Sequence, residues 1–221
     1  QYGEIHLLGL WLPRHSAPLD AELSRLRGHR EERNLKILDR LRSIGINIGY
    51  QEVLDEAGGE SVGRPHIARV LQKRGIVSNF AQAFELYLGY YGAAYVPRTL
   101  LTPEEGVSLM ADLGAVVSFA HPMLIRCPPS WFDEIIPRLK EAGLGAIEAY
   151  HSEHSARDER FCVELAARYG LGLSGGSDYH GMAKPGVELG RGKGGLRVTV
   201  ALLDALKARR KRPVDDAPEV L

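Results

Sequence analysis

The sequence predicts an α/β fold interrupted by an all-helical stretch, and three observations predict it. From Pro103 onward, helical patterns alternate with short apolar runs at Ala115–Ala120, Ala146–Tyr150 and Leu171–Ser174, the signature of parallel strands joined by crossover helices. Between residues 16 and 90 the pattern is helical throughout. Histidines and an aspartate fall at the ends of the apolar runs, where ligands gather in folds of this class.

The elements follow in order. Ile5–Leu10 is an apolar run with His6 inside it, and the Pro13 to Pro18 segment ends it. Ser16 and Pro18 supply a helix cap and a first-turn proline. Leu19, Leu23, Leu26, Leu35, Leu38, Leu41 and Ile44 recur mostly at three- or four-residue steps, predicting a long amphipathic helix closed by Gly45. Its Arg30-Glu31-Glu32-Arg33 face reads mainly as solvated charge. Three shorter helices are expected near Gln51–Ala57, Pro65–Lys73 and Asn79–Leu88. Helices at Pro103–Leu113, Ser130–Ala142 and Ala156–Tyr169 alternate with the strands. A last amphipathic piece, Leu196–Arg212, ends in Arg209-Arg210-Lys211-Arg212, and cations suit a helix C-terminus without any nucleic acid. The tail Pro213–Leu221 is expected to be disordered.

Composition narrows the function. The 221 residues carry 28 Lys+Arg against 28 Asp+Glu, so a broad electrostatic nucleic-acid surface is not indicated. Local arginines can still hold a small anion. The two cysteines, Cys127 and Cys162, are isolated, which disfavours a disulfide framework or a thiolate metal site and makes a reducing cytoplasm the expected compartment. No apolar run is long enough to span a membrane. The chain opens on Gln1 rather than Met and enters a strand pattern at once, so its true N-terminus is expected upstream.

The chemistry concentrates in Gly175-Gly176-Ser177-Asp178-Tyr179-His180-Gly181. Asp178 and His180, two residues apart at a strand end, project the same way. A carboxylate oxygen and an imidazole nitrogen aimed at one point suit Zn, Mn or Fe. Alone, Asp-x-His is as often a plain turn, and a lone strand histidine such as His6 is more often a core residue. His121, ending the Val116–Ala120 strand, and His6 shift that balance, because neutral imidazoles are the commonest nitrogen ligands. Ligands spread over several strand ends suit metal-assisted hydrolysis.

Two further groups stand out. Arg64 and His66, in Gly63-Arg64-Pro65-His66-Ile67-Ala68-Arg69, sit at a helix start suited to an anion, or to an ordinary proline-started helix. Glu148, Tyr150, His151 and His154 follow one another across a strand end, with His154 beside the next helix N-terminus, where a substrate phosphate is expected. Glu4 alternates with His6 and carries little weight.

These stretches, together with Ala83–Leu88, Ala94-Tyr95-Val96-Pro97 and Ala120-His121-Pro122, resemble the PHP (polymerase and histidinol phosphatase) superfamily of metal-dependent phosphoesterases. More narrowly they are similar to its branch of 3′,5′-nucleoside bisphosphate phosphatases with a helical insertion, related to the bacterial enzyme called RNase AM. The resemblance implies a distorted (β/α)7 barrel formed by residues 1–15 and 97–221, with residues 16–96 as the inserted helical domain. It implies up to three divalent metals, Mn foremost and Zn, Fe or Mg as alternatives, with His6, His121, Asp178 and His180 at ligand positions. Of these, His121, Asp178 and His180 are the expected catalytic set. Arg64, His66 and His154 match positions near substrate.

Two departures follow. The family's opening His-x-His strand, a following Asp, a Thr-Asp-His segment and a ligand Glu are not in this sequence, so the first barrel strands and about half of the metal shell are expected upstream. The chain by itself is then expected to be incompletely folded and inactive. Where the family often has Gly-Arg-Tyr after Ala-His-Pro, this chain has Met123-Leu124-Ile125-Arg126, so Arg126 is the candidate phosphate contact from a shifted position. The expected substrate is a small phosphorylated nucleotide such as pAp, losing its 3′-phosphate, with short oligonucleotides attacked 5′→3′ as an extension. A histidinol-phosphate or other small phosphomonoester phosphatase and a non-catalytic PHP-like module are the rival readings.

Overall fold

A computed structural model of the chain describes residues 3–181 and 184–210. The chain divides into two compact units, Gln1–Ser16 with Leu101–Leu221, and Ala17–Leu100.

The first unit is a mixed α/β layer. Its four-stranded sheet has the order β1-β2-β3-β4, formed by β1 (Leu7–Leu10), β2 (Val116–Phe119), β3 (Leu144–His151) and β4 (Gly172–Gly176). β2, β3 and β4 are parallel, as the alternating pattern predicts. β1 departs from that rule and runs antiparallel to β2, with Leu7 opposite Phe119 and Leu10 opposite Val116. All four residues of β2 are buried, the reading expected of a strand covered on both faces. On one face Phe119, Ile147 and Val117 pack against Phe132, Ile136 and Leu139 of α6 (Ser130–Ala142), Leu165 of α7 (Ala156–Tyr169) and Val107 of α5 (Pro103–Asp112). On the other face Val116 and Ala146 meet Leu206 of α8 (Val200–Lys207).

The helix boundaries obey their caps. Thr102 and Ser155 each accept a backbone N–H three residues on, while Glu105 and Asp158 reach back to the cap N–H, the capping-box exchange. α8 is shorter than the expected Leu196–Arg212, because Thr199 caps it and accepts the Leu202 N–H. Arg209 donates to the carbonyls of Gly170 and Gly145 at 3.0 and 3.5 Å, and Arg210 lies over the Trp11 ring. These two arginines therefore have partners within the unit. Lys211, Arg212 and the tail lie outside the described residues.

The second unit is helical: α1 (Ala17–Ser43), α2 (Tyr50–Ala57), α3 (Arg64–Lys73) and α4 (Phe80–Ala83), the last continued by a wide π-helical turn, Phe84–Leu88. Its core joins Ile37, Leu38 and Leu41 to Ile48, Val53, Ile67, Leu71 and Leu88. α1 corrects the simple amphipathic expectation. Only its second half is buried, and Leu23 and Leu35 are exposed. Arg33 is buried where a solvated charge is expected, with its Nε donating to the Val96 carbonyl at 2.8 Å. Residue spacing shows which positions share a helix face; it does not show how far along the helix a partner extends.

Candidate functional site

Parallel strands bring their C-terminal ends to one sheet edge, and β1, being antiparallel, begins at that same edge. His6 directly precedes β1, and its carbonyl accepts the Ala120 N–H at 3.0 Å. His121 comes two residues after β2, His151 closes β3, and Asp178 comes two residues after β4. Only the antiparallel sense of β1 places His6 beside His121, with Nδ1 and Nε2 3.1 Å apart.

The cluster continues from ring to ring. His121 and His151 have centroids 5.5 Å apart, and His151 and His154 5.1 Å. His151 Nε2 lies 3.7 Å from Asp178 Oδ2, and His180 Nδ1 lies 3.5 Å from Asp178 Oδ1. His121, at φ 29°, and Asp178, at φ 53°, both adopt left-handed backbone without being glycine. Such conformations cost about 1–3 kcal/mol each and concentrate at functional sites.

Hydrogen bonds sort the histidines. A carbonyl oxygen only accepts, so the 2.9 Å contacts of His154 Nδ1 with Ala149 O and of His180 Nδ1 with Asp178 O place a proton on each Nδ1. In the neutral ring the Nε2 lone pair is then available to a metal or a proton, and a backbone partner on the other nitrogen is the usual way a ligand imidazole is held. Ala149 is the extra residue in an irregular stretch of the β3–β4 ladder, between Glu148 and Tyr150, and such bulges re-aim neighbouring groups beside active sites. His151 is held the other way. Its Nδ1 accepts the Glu153 N–H at 3.1 Å, so its Nε2 carries the proton toward Asp178.

Electrostatics set the charges. Burial pushes His151 down to about 4, with His154 and His121 adding to the shift, and burial with His6 nearby lowers His121. Burial raises Glu148 to about 7 although it accepts the His121 N–H, and the Asp178 charge adds to the rise. Burial also opposes ionisation of Asp178, but Lys184 Nζ, 2.6 Å from Oδ2, outweighs it and leaves the carboxyl below its ordinary range. Lys184 also pairs with Glu153 at 2.7 Å.

A divalent cation suits these donors on one structural ground. His121 Nδ1 and His154 Nε2 are buried without a hydrogen-bond partner, and buried polar atoms are rarely left so. Imidazole nitrogens beside a carboxylate form a borderline-hard donor set. His6, His121, Asp178, His180 and His154 are the residues able to hold a cation. Among the described residues, no three His, Cys, Asp or Glu side chains already converge as a ligand group, and the cluster is built of pairs.

The other expected site residues lie elsewhere. Arg126 is exposed, two residues after the short turn Pro122–Leu124 that follows β2. Arg64 and His66 belong to the helical unit. His66 caps α3, its Nδ1 accepting the Gly63 N–H at 3.1 Å, and Arg64 donates to the Leu88 carbonyl at 2.9 Å. Both line a cavity of about 500 Å³ shared with His29, Arg30, Arg33 and Arg98. No Asp or Glu is among its lining residues, and burial with the charges of Arg64 and Arg98 lowers Arg33. The Glu60 carboxylate lies 3.7 Å from His66 Nε2.

Sequence reasoning singles out Glu148 and His151 without assigning them a part, and misses Lys184. Nothing in local spacing marks a lysine six residues beyond Asp178 as its partner.

No family model matches the chain. It is 30% identical over 189 residues to the 5′-3′ exoribonuclease Rnm of Escherichia coli, covering 85% of this chain and 64% of that protein. It is 27% identical over 212 residues to the 3′,5′-nucleoside bisphosphate phosphatase of Chromobacterium violaceum, covering 96% of this chain and 74% of the phosphatase. The fold is similar to the crystal structure of a metal-dependent phosphoesterase from Bifidobacterium adolescentis, with TM-score 0.70 and 26% identity over 95% of this chain and 72% of that one. The chain thus spans less than two thirds of the length of the exoribonuclease and about three quarters of that of the phosphatase.

Proposed function

We propose that the chain is a metal-dependent phosphoesterase of the PHP superfamily, and that its strand-end cluster hydrolyses a phosphomonoester on a small nucleotide. The leading substrate is a nucleoside 3′,5′-bisphosphate such as pAp, losing its 3′-phosphate, and short oligonucleotides attacked from the 5′ end extend the same chemistry. The phosphatase and exoribonuclease names of the relatives support this pairing. The observation that carries the reading is the pair of buried, unpartnered imidazole nitrogens, His121 Nδ1 and His154 Nε2, in the cluster around Asp178.

His6, His121, Asp178 and His180 are proposed to hold divalent metal, Mn foremost, within a distorted PHP barrel. Metal bound there supplies a Lewis acid that acidifies water and neutralises charge on the phosphoryl oxygens. Water attacks phosphorus, the bond from phosphorus to the ribose 3′-oxygen breaks, and the products are a nucleoside 5′-monophosphate with a free 3′-hydroxyl and inorganic phosphate. His154, its Nδ1–H held by the Ala149 carbonyl and a proton taken up on Nε2 when phosphate binds, and Arg126 are assigned to donate to phosphate oxygens. Arg64 and His66 are assigned to a phosphate in the cavity of the helical unit. His151 orients Asp178.

Phosphate release from pAp by the full-length protein, with Mn²⁺ added and then chelated, is the direct test. Metal-dependent release of the 3′-phosphate alone is expected, and Asp178→Ala should abolish turnover with the fold kept. Near-normal activity in that variant would remove Asp178 from the metal site.

A further inference from the structure

In the helical unit, the turn after the π-helical segment presents two adjacent aromatic rings to solvent. Tyr90 is 71% and Tyr91 95% exposed. They meet edge to face at 4.9 Å, and Tyr90 also contacts Tyr95 at 5.3 Å.

The turn is tightly built. Gly89 N–H donates to Phe84 O at 2.7 Å, Ala93 N–H to Leu86 O and Ala94 N–H to Tyr87 O at 2.9 Å, and Tyr95 N–H to Gly92 O at 3.0 Å. A Cβ on Gly92 would lie 2.4 Å from the Tyr87 carbonyl carbon, so only glycine lets the chain double back there. Arginines hold both ends of the loop. Arg64 donates to Leu88 O, Arg33 to Val96 O, and Arg40 to Tyr95 O. Two of these, Arg64 and Arg33, also line the cavity. Exposed aromatic rings on a loop whose ends are held by arginines that also line a cationic cavity combine the two elements by which proteins bind single-stranded nucleic acid, base stacking and backbone attraction.

We propose that Tyr90 and Tyr91 form a stacking platform for the bases of a single-stranded oligonucleotide, with the adjoining arginine cavity taking phosphates of the same strand. The proposal rests on the oligonucleotide part of the functional reading, and it assigns substrate length to residues of the helical unit. A mononucleotide has no second base to place, so the platform distinguishes oligonucleotides from pAp. Duplex is disfavoured, since its bases are already stacked on one another.

The test is fluorescence anisotropy of the full-length protein with a 3′-labelled, 5′-phosphorylated five-nucleotide RNA whose linkages are phosphorothioate. Affinity is expected to fall about tenfold or more in Y90A/Y91A, to be kept in Y90F/Y91F, and to be weaker for the same sequence as duplex. Unchanged affinity in Y90A/Y91A, or equal binding of duplex, overturns the platform. Equal loss in Y90F/Y91F, with an unaltered melting temperature, overturns stacking in favour of the hydroxyls. The two readings fail separately. Tyrosine-dependent binding without phosphate release from pAp would leave the platform and remove the phosphatase reading. Release from pAp with tyrosine-independent RNA binding would do the reverse.

Discussion

Glu148, buried on β3, accepts the backbone N–H of His121 at 2.7 Å across the neighbouring strand end. The bond fixes a residue whose φ of 29° is unusual for anything but glycine, and the Glu148 side chain also reaches β4, where a Cβ on Gly176 would lie 2.9 Å from Oε1. One buried carboxyl therefore spaces the ends of three strands.

Removing it should release the His121 turn. Glu148→Ala is expected to cost about 1–3 kcal/mol, the penalty of a buried donor left unpaired, and to weaken metal binding. Glu148→Gln, which keeps an acceptor oxygen, should retain most of both. Urea unfolding and Mn²⁺ titration read the two effects, and an Ala variant as stable as the parent would show that the bond does not hold the turn.

The same carboxyl shapes the response to pH. Between pH 4.5 and 6.5, folded Glu148, raised to about 7, keeps a proton that its unfolded form releases, so its contribution to stability is lost as pH rises. His151, lowered to about 4, lacks in that range a proton its unfolded form would bind, so its contribution grows as pH rises. The two slopes oppose, each limited to about 1.4 kcal/mol per pH unit. In chelator-treated protein, Glu148→Gln removes the first and leaves the second. Its unfolding free energy should climb with pH over this window more steeply than the parent's, and parallel curves would contradict the raised Glu148 value.

Ser118 on β2 and Ser174 on β4 share a hydrogen bond of 2.6 Å in the buried interior. Either single change to Ala leaves one hydroxyl unpaired and should cost about 1–3 kcal/mol. The double variant should lose less than the sum of the singles, because no orphan remains. Additive losses in urea melts would mean the hydroxyls are satisfied by other partners.

Cys162 is buried on α7, and burial pushes its thiol to about 12. Since only the thiolate attacks a disulfide reagent, no more than about one thiol in ten thousand is reactive at pH 8. Native protein should leave Cys162 unmodified by a thiol–disulfide reagent until it unfolds, as peptide mapping after a timed reaction would show. Rapid native labelling would mean the α7–sheet packing opens locally.

Several features were legible because their causes are local. The helices expected near Gln51–Ala57, Pro103–Leu113, Ser130–Ala142 and Ala156–Tyr169 begin or end close to those positions. Groups within a few residues of them, such as the Thr102 and Ser155 caps and the glycines after α2, α6 and α7, set their limits. Strand ends carrying His121, Asp178 and His180 follow from the β/α alternation alone, as does the parallel sense of β2, β3 and β4. Tertiary structure decided what depends on partners far along the chain. The antiparallel sense of β1 is set by pairing with a strand more than a hundred residues away, and that pairing carries His6 to the cluster. Burial of Arg33, the opposite tautomers of His151 and His154, and the Lys184 contact with Asp178 depend on which carbonyl, amide or carboxylate the folded chain brings within 3 Å or so. Residue type and spacing determine which groups can do chemistry; desolvation and hydrogen bonding, which exist only in the fold, determine the proton each one holds and the direction in which it acts.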